Sequence, residues 1–144
     1  MTGPSAIPTI LVTNNVIATV NTGEKIPFNK LSGISDPSYY QFVPNSTDVM
    51  ITMPGVYSIS FAVNCKAIPF HIKLALRVNS QVEAVFSSDQ PGAGPQLLGN
   101  WSINVTSTSL VSITNETESI KLTKDTNPES NNAHLLIQYL GISS

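Results

Sequence analysis

The chain has a single cysteine, Cys65, in 144 residues. No disulfide can form within one copy, so packing rather than cross-linking must hold the fold. Cys65 falls in an apolar alternation and reads as a small buried hydrophobe. Nothing nearby suggests the base and oxyanion site that a nucleophile needs. Charge is scarce as well: Asp, Glu, Lys and Arg make up 11% of the residues, against a typical ~25%. The net charge is −2 and no basic run occurs, which argues against nucleic acid as a partner. There are two histidines, His71 and His134. They sit on separate strands with no serine elbow or paired carboxylates around them. A metal-dependent enzyme needs clustered His and carboxylate ligands. The reading is therefore no enzyme, no cofactor and no metal. No apolar run is long enough to span a bilayer. Met1-Thr2-Gly3-Pro4-Ser5 lacks the basic start and apolar stretch of a secretory signal.

What fills the gap left by charge is Ser, Thr and Asn, beside 41% hydrophobic residues. That mixture suits half-buried strands and polar turns. Ten prolines and eight glycines interrupt every window in which a helical period could run. Period-2 runs recur between turn signals instead, which predicts one all-β sandwich or barrel. Residues 1–15 read as an N-terminal arm and residues 16–144 as the folded domain.

Val56–Cys65 is the clearest strand. Tyr57, Ile59, Phe61 and Val63 fall on one face, bulky enough for the core. Ser58, Ser60, Ala62 and Asn64 fall on the other, small enough for close approach of a second subunit. Ala133–Leu140 is apolar on both faces. Leu135, Ile137 and Tyr139 read as core. Leu136, Gln138 and Leu140 read as covered by another copy, because an antiparallel strand with one wet face alternates cleanly. His71–Val78 has a charged outer face (His71, Lys73, Arg77) and belongs to a solvent-facing sheet. Asn79-Ser80 reads as a hairpin tip leading into Val82–Phe86. Trp101 and Ile103 read as core on a strand over 97–106, which Leu110–Ile113 continues after a bulge. A single Trp on such a strand reads as packing rather than sugar-stacking.

Asp89, Asp125 and Glu129 lie in polar stretches and read as solvated; a calcium site would need several converging oxygens. Glu116 and Glu118 flank a turn and read as exposed charges. Asn45, Asn100, Asn104 and Asn115 open N-x-Ser/Thr patterns, as chance allows in so Asn-, Ser- and Thr-rich a chain.

Two stretches carry a resemblance. Val49 through Phe61 (VMITMPGVYSISF) resembles the signature of the C1q/TNF-like family, in which a strand ends at Pro-Gly and re-enters as aliphatic-Tyr-x-aromatic. Ile59 stands where that family usually has an aromatic. His134–Gly141 (HLLIQYLG) resembles the family's closing strand, and Ile26-Pro27-Phe28-Asn29 an early segment of its bacterial branch. That branch comprises the C-terminal heads of collagen-like surface proteins such as the BclA glycoprotein of the Bacillus exosporium. The resemblance spans about residues 16–142. It implies a ten-stranded antiparallel jelly roll, a homotrimer, and an extracellular or spore-surface location. It also implies an attached collagen-like triple helix, of which Thr2-Gly3-Pro4 would be the last triplet. No acidic loop cluster matches the calcium site of the animal members.

Three functions compete at this stage. The first is a non-enzymatic, trimerising structural head of a collagen-like bacterial surface or spore protein. The second is a recognition module binding a protein or glycan through its loops, residues 87–96 and 126–132. The third is a cupin-like enzyme, for which two separate histidines do not suffice.

Overall fold

The computed structural model describes residues 7–67, 72–88, 96–117, 119–122 and 131–142. Thr2-Gly3-Pro4, His71, Asp89, Glu118, Asp125 and Glu129 lie outside the described residues, with most of 87–96 and 126–132 and the side chain of Cys65. Among the described residues the regular structure is twelve strands. They are β1 (Thr9–Asn14), β2 (Ala18–Val20), β3 (Lys30–Ile34), β4 (Tyr40–Gln41), β5 (Val49–Ile51), β6 (Gly55–Ala67), β7 (Ile72–Val78), β8 (Gln81–Ser88), β9 (Gln96–Val105), β10 (Ser109–Asn115), β11 (Ile120–Leu122) and β12 (Ala133–Gly141).

The strands form two antiparallel sheets. In sheet I, β6 is flanked by β9 and β12, β12 pairs with β1, and β1 with β3; β11 extends β6 and carries β2. Sheet II runs β4-β5-β10-β7-β8. The two short strands complete longer columns. Val63 pairs with Ala133 and Cys65 with Leu122, so β11 and β12 meet β6 in one continuing register. Ala18 follows Asn14 by four residues, which reach at most ~14 Å. Strands lie ~4.8 Å apart, so β2 can only sit in the column of β1. Counted by column, each sheet has five strand positions, and the architecture is a ten-position antiparallel jelly roll.

Alternation fills the space between the sheets. Sheet I contributes Ile10, Val12, Tyr57, Ile59, Phe61, Val63, Ile103, Leu135 and Ile137, all buried. Sheet II contributes Val49, Ile51, Ile72, Leu74, Leu76, Val111 and Ile113. Each such side chain stabilises by about 1.5–3 kcal/mol when fully buried. Four tyrosines close one end. Tyr139 is half-buried between Tyr39 and Tyr57, with ring centroids 5.0 and 5.4 Å away. The Tyr40 hydroxyl donates to the Pro8 carbonyl at 2.8 Å, and that of Tyr57 to Met53 at 2.7 Å. Burial pushes both phenols well above the ordinary tyrosine value, so they remain donors.

Three expectations are corrected. Residues 9–14 are not an arm: β1 lies between β12 and β3 inside sheet I, with Ile10 and Val12 fully buried. Leu110–Ile113 does not continue the preceding strand. β9 belongs to sheet I and β10 to sheet II, and the chain crosses between layers at Thr106-Ser107-Thr108, where the Ser109 hydroxyl donates back to the Ser107 carbonyl at 2.8 Å. Trp101 is not core. It pairs with Ile59 and so points inward, yet it is 45% exposed. The reason is its strand: β9 is the edge of sheet I, facing β8 at the edge of sheet II, where the Phe86 ring packs against it with centroids 6.4 Å apart. The hairpin tip has both Asn79 (φ 53) and Ser80 (φ 69) in the left-handed region, as a two-residue hairpin turn requires.

Candidate functional site

The outer face of sheet I brings together the residues set apart above for assembly. The side chains facing away from the core align in rows across four strands. One row is Leu98, Ala62, His134 and Thr13; the next is Asn100, Ser60, Leu136 and Leu11; the third is Ser102, Ser58, Gln138 and Thr9. The β6 column is small throughout. It forms a furrow between the longer side chains of β9 on one flank and β12 on the other. Apolar residues stand proud of it, with Leu98 64% and Leu140 58% exposed and Leu11 and Leu136 half-buried. Ala62 departs from the expectation: it is already buried in one chain, flanked in register by His134 and Leu98, whose larger side chains leave little of its methyl open.

No carboxylate occurs among the described outward-facing residues of this face. Lys30 pairs in register with Thr13 at one margin, and the β11 register sets Lys121 opposite Lys66 farther along. His134 lies between Thr13 and Ala62 and is half-buried. Burial pushes its imidazole below the ordinary histidine value. It lines two shallow depressions. One, of ≈ 270 Å³, is bounded by Leu11, Thr13, Asn131 and Leu136. The other, of ≈ 350 Å³, reaches the β9 edge at Phe61, Phe86, Leu98, Gly99 and Asn100. Gly99 is required there, because a Cβ would run into the Phe61 ring.

The turn beside this face rests on a buried amide pair that the sequence reading did not anticipate. Asn14 Nδ2 donates to Asn132 Oδ1 at 2.7 Å and to the Val16 carbonyl at 2.7 Å; Asn132 Nδ2 donates to the same carbonyl at 3.0 Å. The Asn132 backbone adds bonds to Asn14 and Asn64. The pair holds the β1–β2 connection against the start of β12. Leu11, Leu98 and His134 were also not singled out for the face. Their alternation with Ile10, Val12 and Leu135 was the available signal, but it needs the pairing partners to become a surface.

The outer face of sheet II is different in kind. Arg77 donates to Glu116 at 2.9 Å and to Thr114 at 2.9 Å, and Lys25 pairs with Asp48 at 3.0 Å. The Arg77 guanidinium holds the Glu116 carboxyl below its ordinary value. A shallow depression of ≈ 240 Å³ lies among Gln41, Phe42, Val43, Ser46, Asp48, Met50 and Leu110. Asn115 of the fourth sequon is fully buried, while Asn45, Asn100 and Asn104 are exposed. Among the described residues no three His, Cys, Asp or Glu side chains converge as metal ligands, and no helix is long and apolar enough to cross a membrane.

No family model and no curated protein matches the sequence. Solved structures do match the fold. The Eiger TNF of S. frugiperda superposes with a TM-score of 0.75 at 10% identity, covering 96% of this chain and 95% of that one. The globular domain of zebrafish complement 1qA gives 0.67 at 14% identity, covering 94% and 98%. Murine APRIL gives 0.67 at 8% identity, covering 94% and 100%. At such identities the likeness speaks for architecture, and on it the chain has the jelly-roll fold shared by C1q and TNF domains.

Proposed function

We propose that this domain is a non-enzymatic assembly head that forms a homotrimer through the outer face of sheet I. One observation carries the reading: that face has no carboxylate among its described residues, is grooved along a column of small residues, and is studded with exposed or half-buried leucines. Monomers rarely leave such a face open. A closed ring of three pairs two different patches on each chain, and the chain offers two. The first is the β1–β12 surface at Leu11, Leu136 and Leu140. The second is the β8–β9 edge, where Leu98 is 64% and Trp101 45% exposed beside Phe86. The finer reading comes from the resemblance of 49–61 and 134–141. It makes the domain the C-terminal head of a collagen-like bacterial surface or exosporium protein, placed outside the cell.

Light scattering at micromolar concentration tests the assembly. The wild type is expected at three chain masses and Leu136→Glu, which buries a charge in the contact, at one. Equal masses for both would remove Leu136 from the interface. The stalk reading is tested by the sequence immediately upstream, where a Gly-X-Y tract is expected. Recognition of a ligand is the second reading. The depression around Phe42, Met50 and Leu110 on the opposite sheet favours it, since that surface stays open in the proposed trimer. Glycan-array or pull-down binding lost in Phe42→Ser would support it.

A further inference from the structure

We infer that the assembly face carries an acid-sensitive switch, in which protonation of His134 drives the chains apart. The inference rests on the assembly reading above and adds its regulation. His134 occupies the row between Thr13 of β1 and Ala62 of β6, and its ring lines both depressions of the face. The described groups around it are uncharged or cationic. On β1 they are Leu11 and Thr13; on β6, Ser60, Ala62 and Asn64; on β9, Leu98 and Asn100; before β12, Asn131. Lys30 of β3 pairs with Thr13, and Lys121 of β11 lies farther along. The ring has no hydrogen-bond or charge partner among the described residues. The described carboxylate on the complementary β8–β9 edge is Glu83, which the β7–β8 pairing skips as a bulge.

A second chain laid over this face with its β8–β9 edge removes the remaining water, and its Glu83 stands three residues along β8 from Phe86, the β8 residue that borders the His134 depression. Burial already favours the neutral ring in one chain, and further burial favours it more. Assembly therefore expels protons. The association constant stands at its full value above the imidazole pKa of the free chain. It falls as the pH drops through that pKa, by up to about tenfold per pH unit for each histidine. With one ring per chain, the limit for a trimer is about a thousandfold per pH unit.

The test is sedimentation of the whole chain between pH 8 and 5, with near-ultraviolet circular dichroism to show that it stays folded. Wild type and His71→Gln are expected to shift from trimer to monomer in acid, and His134→Gln to lose that shift. A wild type that stays assembled with an unchanged association constant at pH 5 overturns the switch and leaves the assembly reading intact. Tighter association in acid, or a shift abolished by His71→Gln, also overturns it. A single chain mass at pH 8 overturns the assembly reading and the switch together.

Discussion

Replacing Asn132 with leucine keeps the branched shape of the side chain at the start of β12 and removes the amide. Two side-chain hydrogen bonds go with it: the one accepted from Asn14 at 2.7 Å and the one donated to Val16 at 3.0 Å. Each contributes about 1 kcal/mol net. Asn14 is 2% exposed, so its amide cannot turn to water. It keeps the Val16 carbonyl as acceptor, and the half-lost satisfaction adds about 1 kcal/mol more. The expected cost is about 3 kcal/mol, or a melting temperature lower by roughly 10 °C for a domain near this size. Urea unfolding at one fixed protein concentration measures it, and Asn14→Leu and the double variant complete a cycle. Because both substitutions break the same bond, the double variant should cost about 1–2 kcal/mol less than the sum. A loss below about 0.5 kcal/mol for Asn132→Leu, or strict additivity, would refute the claim that this amide pair holds the β1–β2 turn to β12.

Gly55→Ala should cost at least about 2 kcal/mol, because a Cβ meets the Tyr139 ring and the Gly141 carbonyl and φ is +151°; a thermal melt unchanged from wild type would contradict it. Gly99→Ala should also destabilise by displacing the Phe61 ring, seen as a change in near-ultraviolet circular dichroism. Trp101, the single tryptophan and 45% exposed in one chain, should shift its emission to the blue on assembly and back on dilution; emission independent of concentration would place it outside the contact. Glu116 has a lowered pKa, so its pairing with Arg77 stabilises fully above the unfolded carboxyl pKa and is lost as the pH falls through the folded value. Both partners are partly exposed, so the effect is at most about 1 kcal/mol. Arg77→Met should flatten that acid limb of the stability curve.

Strands whose alternation is bulky on one face were legible before any coordinates. Tyr57, Ile59, Phe61 and Val63 sort to the core by period alone, and so do Leu135 and Ile137. The Asn79-Ser80 tip was legible because the turn asks for residues that tolerate positive φ. Position within a sheet was not. Trp101 has the pattern of a core residue, and its exposure comes from lying on the last strand of a layer. β1 was hidden because Pro4, Pro8 and the Asn14-Asn15 pair punctuate it like a linker, whereas its burial depends on β12, some 120 residues away. The switch of layers at Ser107 was likewise silent, since apolar alternation reads the same on either side of it. The proposed assembly face was half legible. Its small column on β6 stood out, but Leu11, Leu98 and His134 joined it only through register.

Sedimentation equilibrium of the wild-type chain at neutral pH, over a range of micromolar concentrations, addresses the central claim most directly. A self-associating face predicts three times the 15.4 kDa chain mass, falling towards one chain on dilution. A single species at one chain mass throughout would contradict assembly through the outer face of sheet I.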